Sequence, residues 1–228
     1  MRLLNHLKKL TQRKLIKEKY MQPIKLNLVE TNESLGIKSF LGTMKLKDIF
    51  NNYKVLFYEP GQDLNVGYQR QAKYTRIKNL GKRISDEETM YEPFMDCVHV
   101  NLRSDGALNF IRPLNENDSD GFYTFDYTSD FGKFYVVDGQ TRLRGAELAY
   151  KEAIEANNYS LAEKIANIKF PFQLSITQNK ISEAYRFHIL NYHNAPLPTA
   201  GGFALMKHGF EEGSEHFKRE IELLSKSR

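Results

Sequence analysis

The sequence predicts a single domain of the α+β or α/β class. Segments with the period-two apolar pattern of β-strands alternate with segments whose apolar residues recur at helical spacing. The 228 residues are enough for one domain with a full hydrophobic core. The chain shows neither internal repeats nor a long linker, so we expect these elements to pack into one folding unit.

Composition indicates a globular protein of a reducing compartment. Apolar residues make up 41% and charged residues 27%, which excludes a disordered or fibrous chain. No run of 18 apolar residues occurs, and residues 1–22 lack the apolar stretch and cleavage site of a secretory signal. The single cysteine, Cys97, excludes an intramolecular disulfide. We therefore expect a cytoplasmic protein without a membrane partner. The net charge of +5 is compatible with a polyanionic partner.

Residues 1–22 are expected to form a basic amphipathic helix. Leu3, Leu7 and Leu10 recur at helical spacing, and seven Lys and Arg residues oppose one acid, Glu18. Pro23 then ends the helix. Two interpretations stay open: a solvated arm packed through its leucines, or an arm that contacts DNA or other phosphates.

The elements up to residue 102 follow from the apolar pattern. The predicted strands are residues 24–30, residues 36–44 (a strand or the approach to one), residues 55–58 and residues 97–102. Helices are predicted at residues 45–52 and 67–84. The second of these helices is rich in cations, with Arg70 in its first turn, and those cations either line a DNA groove or face solvent.

The second half of the chain begins with an exposed acidic loop at residues 114–120. Strands are predicted at residues 133–138 and 170–177, and helices at residues 143–157, 181–191 and from Gly201 to Ser225. Pro196 and Pro198 block the helix that precedes them. The aromatic residues between positions 122 and 135 are typical of core or hairpin packing, with base stacking as the alternative.

The strand–turn–helix at residues 136–149 is a candidate phosphate site. The first amides of a helix have no acceptor within it, and the helix dipole is positive there. Gly139 permits an unusual backbone conformation or a close approach by a ligand. The alternative is an ordinary Asp-Gly turn in which Asp138 caps the helix.

Several side chains around this turn suit phosphate chemistry. Arg142, with Arg144 as a second candidate, offers a planar fork to phosphate oxygens. Asp138 could hold Mg²⁺ or orient a water, and Gln140 and Thr141 could donate hydrogen bonds. The histidines at positions 99, 188, 193, 208 and 216 lack the spacing of a structural zinc site.

Residues 136–146, Val-Val-Asp-Gly-Gln-Thr-Arg-Leu-Arg-Gly-Ala, resemble the signature of the DGQHR-domain (DndB-like) proteins. The same strand–turn–helix is similar to the second box of the ParB/sulfiredoxin superfamily. Two further stretches match more weakly: Tyr-Gln-Arg at residues 68–70, and Phe-His-Ile-Leu-Asn at residues 187–191, followed by Ala-Pro-Leu-Pro at residues 195–198.

This resemblance implies an α+β domain of the ParB/sulfiredoxin type at residues 23–200, flanked by the basic helix (1–22) and a helical segment (201–228). It also implies a bound nucleoside triphosphate, with ATP the expected one, and Mg²⁺ on Asp138. Asp138, Gln140 and Arg142 would be catalytic. The residues expected to contact the nucleotide are Gly139, Gln140, Thr141, Arg142, Arg144 and Arg70.

The implied function is Mg²⁺-dependent hydrolysis of the nucleotide on or beside DNA, in a DNA-modification or phage-defence system. Thr141 stands where the family has His, which removes the obvious general base at that position. The alternative is therefore a DNA-binding transcriptional regulator or nucleotide sensor without hydrolytic activity. A subunit that contacts only protein partners of such a complex, or forms an oligomer, is a third hypothesis.

Overall fold

The computed structural model describes residues 23–34, 37–57, 69, 71–115 and 121–192, which form an α+β structure. Arg70 and the helices predicted at residues 1–22 and 201–228 lie outside these ranges, as does most of the acidic loop. None of the helices in the described ranges has both the length and the apolar character needed to cross a membrane.

In the described residues, eight strands form one mixed sheet in the order β3-β7-β4-β8-β2-β1-β6-β5. Pairing is parallel between β3 and β7 and between β4 and β8, and antiparallel elsewhere. The strands are β1 (Ile24–Ser34), β2 (Ile37–Lys45), β3 (Tyr53–Lys54), β4 (Val98–Leu102), β5 (Ile111–Pro113), β6 (Phe122–Tyr127), β7 (Phe134–Asp138) and β8 (Lys169–Ile176).

The sheet curls around its core. Strands β6 and β7 are the seventh and second in the sheet order, yet the rings of Tyr127 and Phe134 lie 4.3 Å apart. The Tyr127 hydroxyl also donates to the Gly132 carbonyl at 2.6 Å. Side chains from both ends of the sheet therefore meet in one buried cluster with Phe170 and Phe172 of β8. Alternation along each strand sends every second side chain into this cluster.

The part of the chain that the structure describes also contains five α-helices: α1 (Leu46–Ile49), α2 (Tyr74–Ser85), α3 (Gln140–Glu155), α4 (Tyr159–Asn167) and α5 (Lys180–Tyr192). Leu143, Ala146 and Ala149 of α3 are fully buried in the core. Helices α2 and α3 cross closely because each has a glycine at the contact. A Cβ added to Gly145 would lie 2.9 Å from the Leu80 Cβ.

Helix α5 packs on the outer face of the sheet. Its buried Glu183 accepts from the Arg103 guanidinium at 2.9 and 3.0 Å and from the Asn101 side chain. Arg186, one turn further along, donates to the Ser39 hydroxyl at 2.7 Å. Phe187 joins a small buried cluster with Val137 of β7. These contacts attach α5 to strands β4, β2 and β7 of the sheet.

Most predicted strands and helices occur, but several boundaries differ and one strand was wrong. The strand predicted at residues 55–58 is absent from its described residues, 55–57, and the short strand β3 lies at Tyr53–Lys54 instead. The helix predicted from residue 67 begins at Tyr74. A contact made by Gln69 limits the pairing of β3. The Gln69 side chain donates to the Val136 carbonyl, and its backbone bridges to Phe57, so this residue is extended. That interaction takes the place of further pairing between β3 and β7.

Helix α3 begins three residues earlier than residue 143, because Gly139 turns the chain directly from strand to helix. Strands β5 and β6 and helix α4 were not predicted. Helix α4 has a sequence signal that could have identified it: the Asn158 side chain accepts from the Leu161 amide at 3.2 Å, as an N-cap does.

Candidate functional site

The turn between β7 and α3 depends on a glycine for two reasons. Gly139 is the N-cap residue of α3 and has φ +91° and ψ 10°, a left-handed conformation that L side chains rarely adopt. A Cβ at this position would also lie 3.1 Å from the Val98 Cγ2 and 3.1 Å from the Arg142 Nη2. Since Gly139 occupies the N-cap, the alternative in which Asp138 caps the helix is wrong.

The first turn of α3 contains no acidic side chain that could neutralise the positive end of the helix dipole. The helix shows no side-chain cap hydrogen bond and no acidic residue in that turn. The Gly139 carbonyl accepts from the amides of Arg142 and Leu143 at 3.0 and 3.1 Å. By helix geometry, the earlier amides have no acceptor within the helix. This end of α3 is therefore chemically suited to an anion.

Arg142 ties the turn to the beginning of β4. Its Nη1 donates to the Asp96 carbonyl at 2.7 Å, and its Nη2 to the Cys97 carbonyl at 2.8 Å and to the Asp138 Oδ2 at 3.3 Å. These bonds use three of the five guanidinium donors. The side chain is only 16% exposed. Arg142 is thus a structural anchor of the turn, in addition to its predicted role as a phosphate contact.

Asp138 is the residue that would hold Mg²⁺. Its carboxylate is 40% exposed and shares one oxygen with Arg142. Within the ranges that the structure describes, no three His, Cys, Asp or Glu side chains are grouped closely enough to hold a metal ion. Mg²⁺ is commonly bound by one or two carboxylates together with substrate phosphates. Asp138 fits that arrangement as a single protein ligand.

His99 belongs to the site, although its position in the sequence does not indicate this. Strand β4 places it opposite Asp138 in the pairing with β7. Its Nδ1 is buried and has no hydrogen-bond partner among the described residues. Burial lowers the pKa of the His99 imidazole, the nearby Arg186 and Arg142 lower it further, and Asp138 and Gln173 act in the opposite direction. Burial therefore favours the neutral form of the ring, which lies opposite Asp138 beside the predicted phosphate site.

The remaining predicted residues lie along the first two turns of α3, except Arg70, which is outside the described residues. Gln140 and Thr141 are half-buried at the helix start. The Arg144 guanidinium lies over the Phe57 ring, 5.5 Å from its centre. This contact places Arg144 beside Phe57, which bridges to Gln69.

One described residue from each of the two weakly matching stretches contacts the strand of the central box. Gln69, fully buried, donates to the Val136 carbonyl from one side. Phe187 packs on the adjacent Val137 from helix α5. Val136 and Val137 directly precede Asp138. Gln69 and Phe187, which are far apart in the sequence, are therefore both neighbours of β7.

No family model matches the chain, and neither does any curated protein or solved structure. A cavity of about 810 Å³ lies away from the turn, between the beginning of β1, the end of β2 and helix α4. The turn itself is formed by the start of α3 and the strands beside it, and its chemistry rests on the residues described above.

Proposed function

We propose that the chain binds a nucleoside triphosphate through its phosphates at the N-terminus of α3. The proposal extends to a ParB/sulfiredoxin-like domain that acts on or beside DNA in a modification or phage-defence system. One observation carries it: Gln69 and Phe187, one residue from each weakly matching stretch, contact β7 just before Asp138, and Gly139 then begins helix α3 with its positive end at the turn.

Different groups at the turn would have different roles in binding the phosphates. The first amides of α3 would contact phosphate oxygens, and Gly139 lets a ligand approach the backbone because it has no side chain. Arg142 would contribute its remaining donors while it holds the turn against β4. Arg144 would add a second positive charge from the next turn. Such charge-assisted hydrogen bonds are each worth about 1.5–3 kcal/mol.

Hydrolysis is the further step that the resemblance implies. Mg²⁺ would supply charge neutralisation at the phosphates, with Asp138 as its protein ligand. Thr141 offers no general base, whereas the imidazole of His99 lies opposite Asp138 and has suitable chemistry. His99 would be the candidate base for the attacking water.

A second candidate is a nucleotide sensor or DNA-binding regulator without hydrolytic activity. The contact between Arg142 and Asp138 favours it, since that contact holds both residues in a structural pair. In that case a bound nucleotide would stabilise the turn and the β4 segment tied to it, and would remain intact.

The test is nucleotide binding and Mg²⁺-dependent phosphate release from all four ribonucleoside triphosphates, with and without DNA. Arg144→Ala and Arg142→Lys should each weaken nucleotide binding about tenfold. Arg112→Ala, which removes an exposed arginine from the distant edge strand β5, is the matched control. Unchanged affinity in both site variants would refute the phosphate site.

Phosphate release separates the two candidates. Turnover that disappears in Asp138→Asn and in His99→Asn supports the hydrolase. Nucleotide binding without turnover, in a protein that also binds DNA, supports the sensor. Circular dichroism of each variant verifies that the loss is not one of folding, which matters most for Arg142 because its bonds to Asp96 and Cys97 support the turn.

A further inference from the structure

The cavity of about 810 Å³ is distinct from the turn at the start of α3. Its walls come from the first residues of β1, the end of β2, helix α1, the C-terminal half of α3, helix α4 and the beginning of β8. The volume falls within the range of about 300–1,000 Å³ that is typical of ligand sites. Its chemistry is defined by four lysines and two tyrosines.

The four lysines outnumber the acids in the wall of the cavity and leave it with a positive net charge. Lys25, Lys45, Lys47 and Lys169 all line it. No carboxylate of the described residues forms an ion pair with any of them, whereas six other cations in those ranges are paired. The two acids in the wall, Asp48 and Glu163, leave a net charge of +2 from four lysines minus two carboxylates. Burial raises the pKa of Asp48, although the neighbouring lysines oppose the shift.

An exposed aromatic ring stands beside these cations. The Tyr159 side chain is 62% exposed, and its hydroxyl donates to the Asn157 Oδ1 at 3.1 Å. Tyr150 lies deeper in the wall, with its ring 5.4 Å from that of Phe50. Ile154, between the two tyrosines in sequence, is 37% exposed. The exposed ring of Tyr159 is available to stack against a flat face of a ligand.

We propose that this cavity binds a segment of single-stranded nucleic acid. The lysines would contact successive phosphates, and a base would stack on Tyr159. Cations that follow a backbone and an exposed ring for the bases are the two components that single-strand binding requires. A duplex fits less well, because its bases are stacked on one another and hide the faces that Tyr159 would need.

The sequence next to the cavity has the same charge. Pro23 is part of the wall, and the 22 residues before it carry seven Lys and Arg residues and one acid. This cavity would be the surface that contacts DNA in the proposed function. The inference rests on that proposal only for the class of partner, which is nucleic acid. It does not depend on a nucleotide at the α3 turn.

The test is fluorescence anisotropy of a fluorescein-labelled twelve-nucleotide oligothymidine with the full chain, over a range of salt concentrations. In the first variant, all four cavity lysines are replaced by Gln. Its affinity should fall at least about tenfold. The slope of log K against log salt should become shallower by about 3, because each of the four lost phosphate contacts contributes about 0.7.

The matched control replaces four exposed lysines elsewhere by Gln, with the same change in net charge: Lys54, Lys73, Lys78 and Lys82. The control should lose less than about threefold in affinity. Tyr159→Ala should weaken binding at least about fivefold and Tyr159→Phe should not, since Phe keeps the ring. Inorganic polyphosphate, as competitor, tests whether charge alone is recognised.

Three outcomes would overturn the inference: no oligonucleotide binding by the full chain, an equal or larger loss in the control variant, or equal competition by polyphosphate with no effect of Tyr159→Ala. An equal or larger loss in the control variant would indicate that the nucleic acid contacts the basic side chains of α2 instead. Failure of the proposed function is recognised separately, because Arg144→Ala tests the α3 turn with a nucleotide, and the lysine variant should retain that binding.

Discussion

Substitution of Gly139 by Ala tests whether the turn before α3 is constrained in the way its geometry indicates. The new Cβ meets two separate obstacles. The backbone has φ +91°, which costs a residue with a Cβ about 1–2 kcal/mol. The Cβ would also approach the two Val98 methyl groups at 3.1 and 3.2 Å and the Arg142 Nη2 at 3.1 Å. Contacts this short force a shift, and overpacking of this kind costs about 1–3 kcal/mol.

The two terms can be separated with a second glycine. Gly121 has φ +72°, and a Cβ there would meet nothing within 4 Å. Gly121→Ala therefore measures the backbone term alone, about 1–2 kcal/mol. We expect Gly139→Ala to lower the free energy of unfolding by about 3 kcal/mol. Urea denaturation followed by circular dichroism measures both, and comparison is valid if the m-value is unchanged.

A third variant sets the baseline. At Gly106 the φ is not in the left-handed range and the surrounding space is open, so Gly106→Ala should change stability by less than about 1 kcal/mol. If Gly139→Ala costs no more than Gly121→Ala, the contacts with Val98 and Arg142 do not constrain the turn. The account of Arg142 as an anchor would then be wrong, since an anchored guanidinium cannot move aside freely.

Three further perturbations test other parts of the structure. Gly145→Ala should destabilise by about 1–3 kcal/mol in urea denaturation, because the new Cβ would lie 2.9 Å from the Leu80 Cβ; a neutral result would show that α2 and α3 separate easily. Glu183→Ala should cost about 3 kcal/mol by the same measurement, since it leaves the 15% exposed Arg103 without its buried partner. The pKa of His99 lies below its ordinary value of 6.5 in the folded chain, so the unfolded chain binds more protons at a pH just below 6.5. Stability should therefore fall as the pH decreases through that window, and less steeply in His99→Asn; parallel pH profiles would contradict the assignment.

The local part of the site could be predicted from the sequence. Gly139, Gln140 and Arg142 fall where a strand gives way to a helix, and residues a few positions apart control that transition. The left-handed glycine and the helix start are properties of near neighbours. The boundary was still wrong by three residues, because the sequence pattern does not show how tightly a glycine turns the chain.

Strands β5 and β6 show the limit of such patterns. Residues 122–127 carry aromatic side chains that suit either a strand or a packed loop. Their assignment depends on pairing with β1, whose partner residues lie nearly a hundred positions earlier. Helix α4 was missed for a different reason: it is short, and a short helix owes most of its stability to tertiary packing.

The sequence by itself determined the α+β class, most of the strands and the glycine turn that opens α3, because these follow from periodicity and from backbone preferences of single residues. Only the tertiary structure decided that His99 lies opposite Asp138, that Arg142 donates to carbonyls 45 and 46 residues away, and that four lysines surround one cavity. The physical reason is strand pairing. Hydrogen bonds between strands bring distant residues together, and the register that chooses them is set by the buried core as a whole.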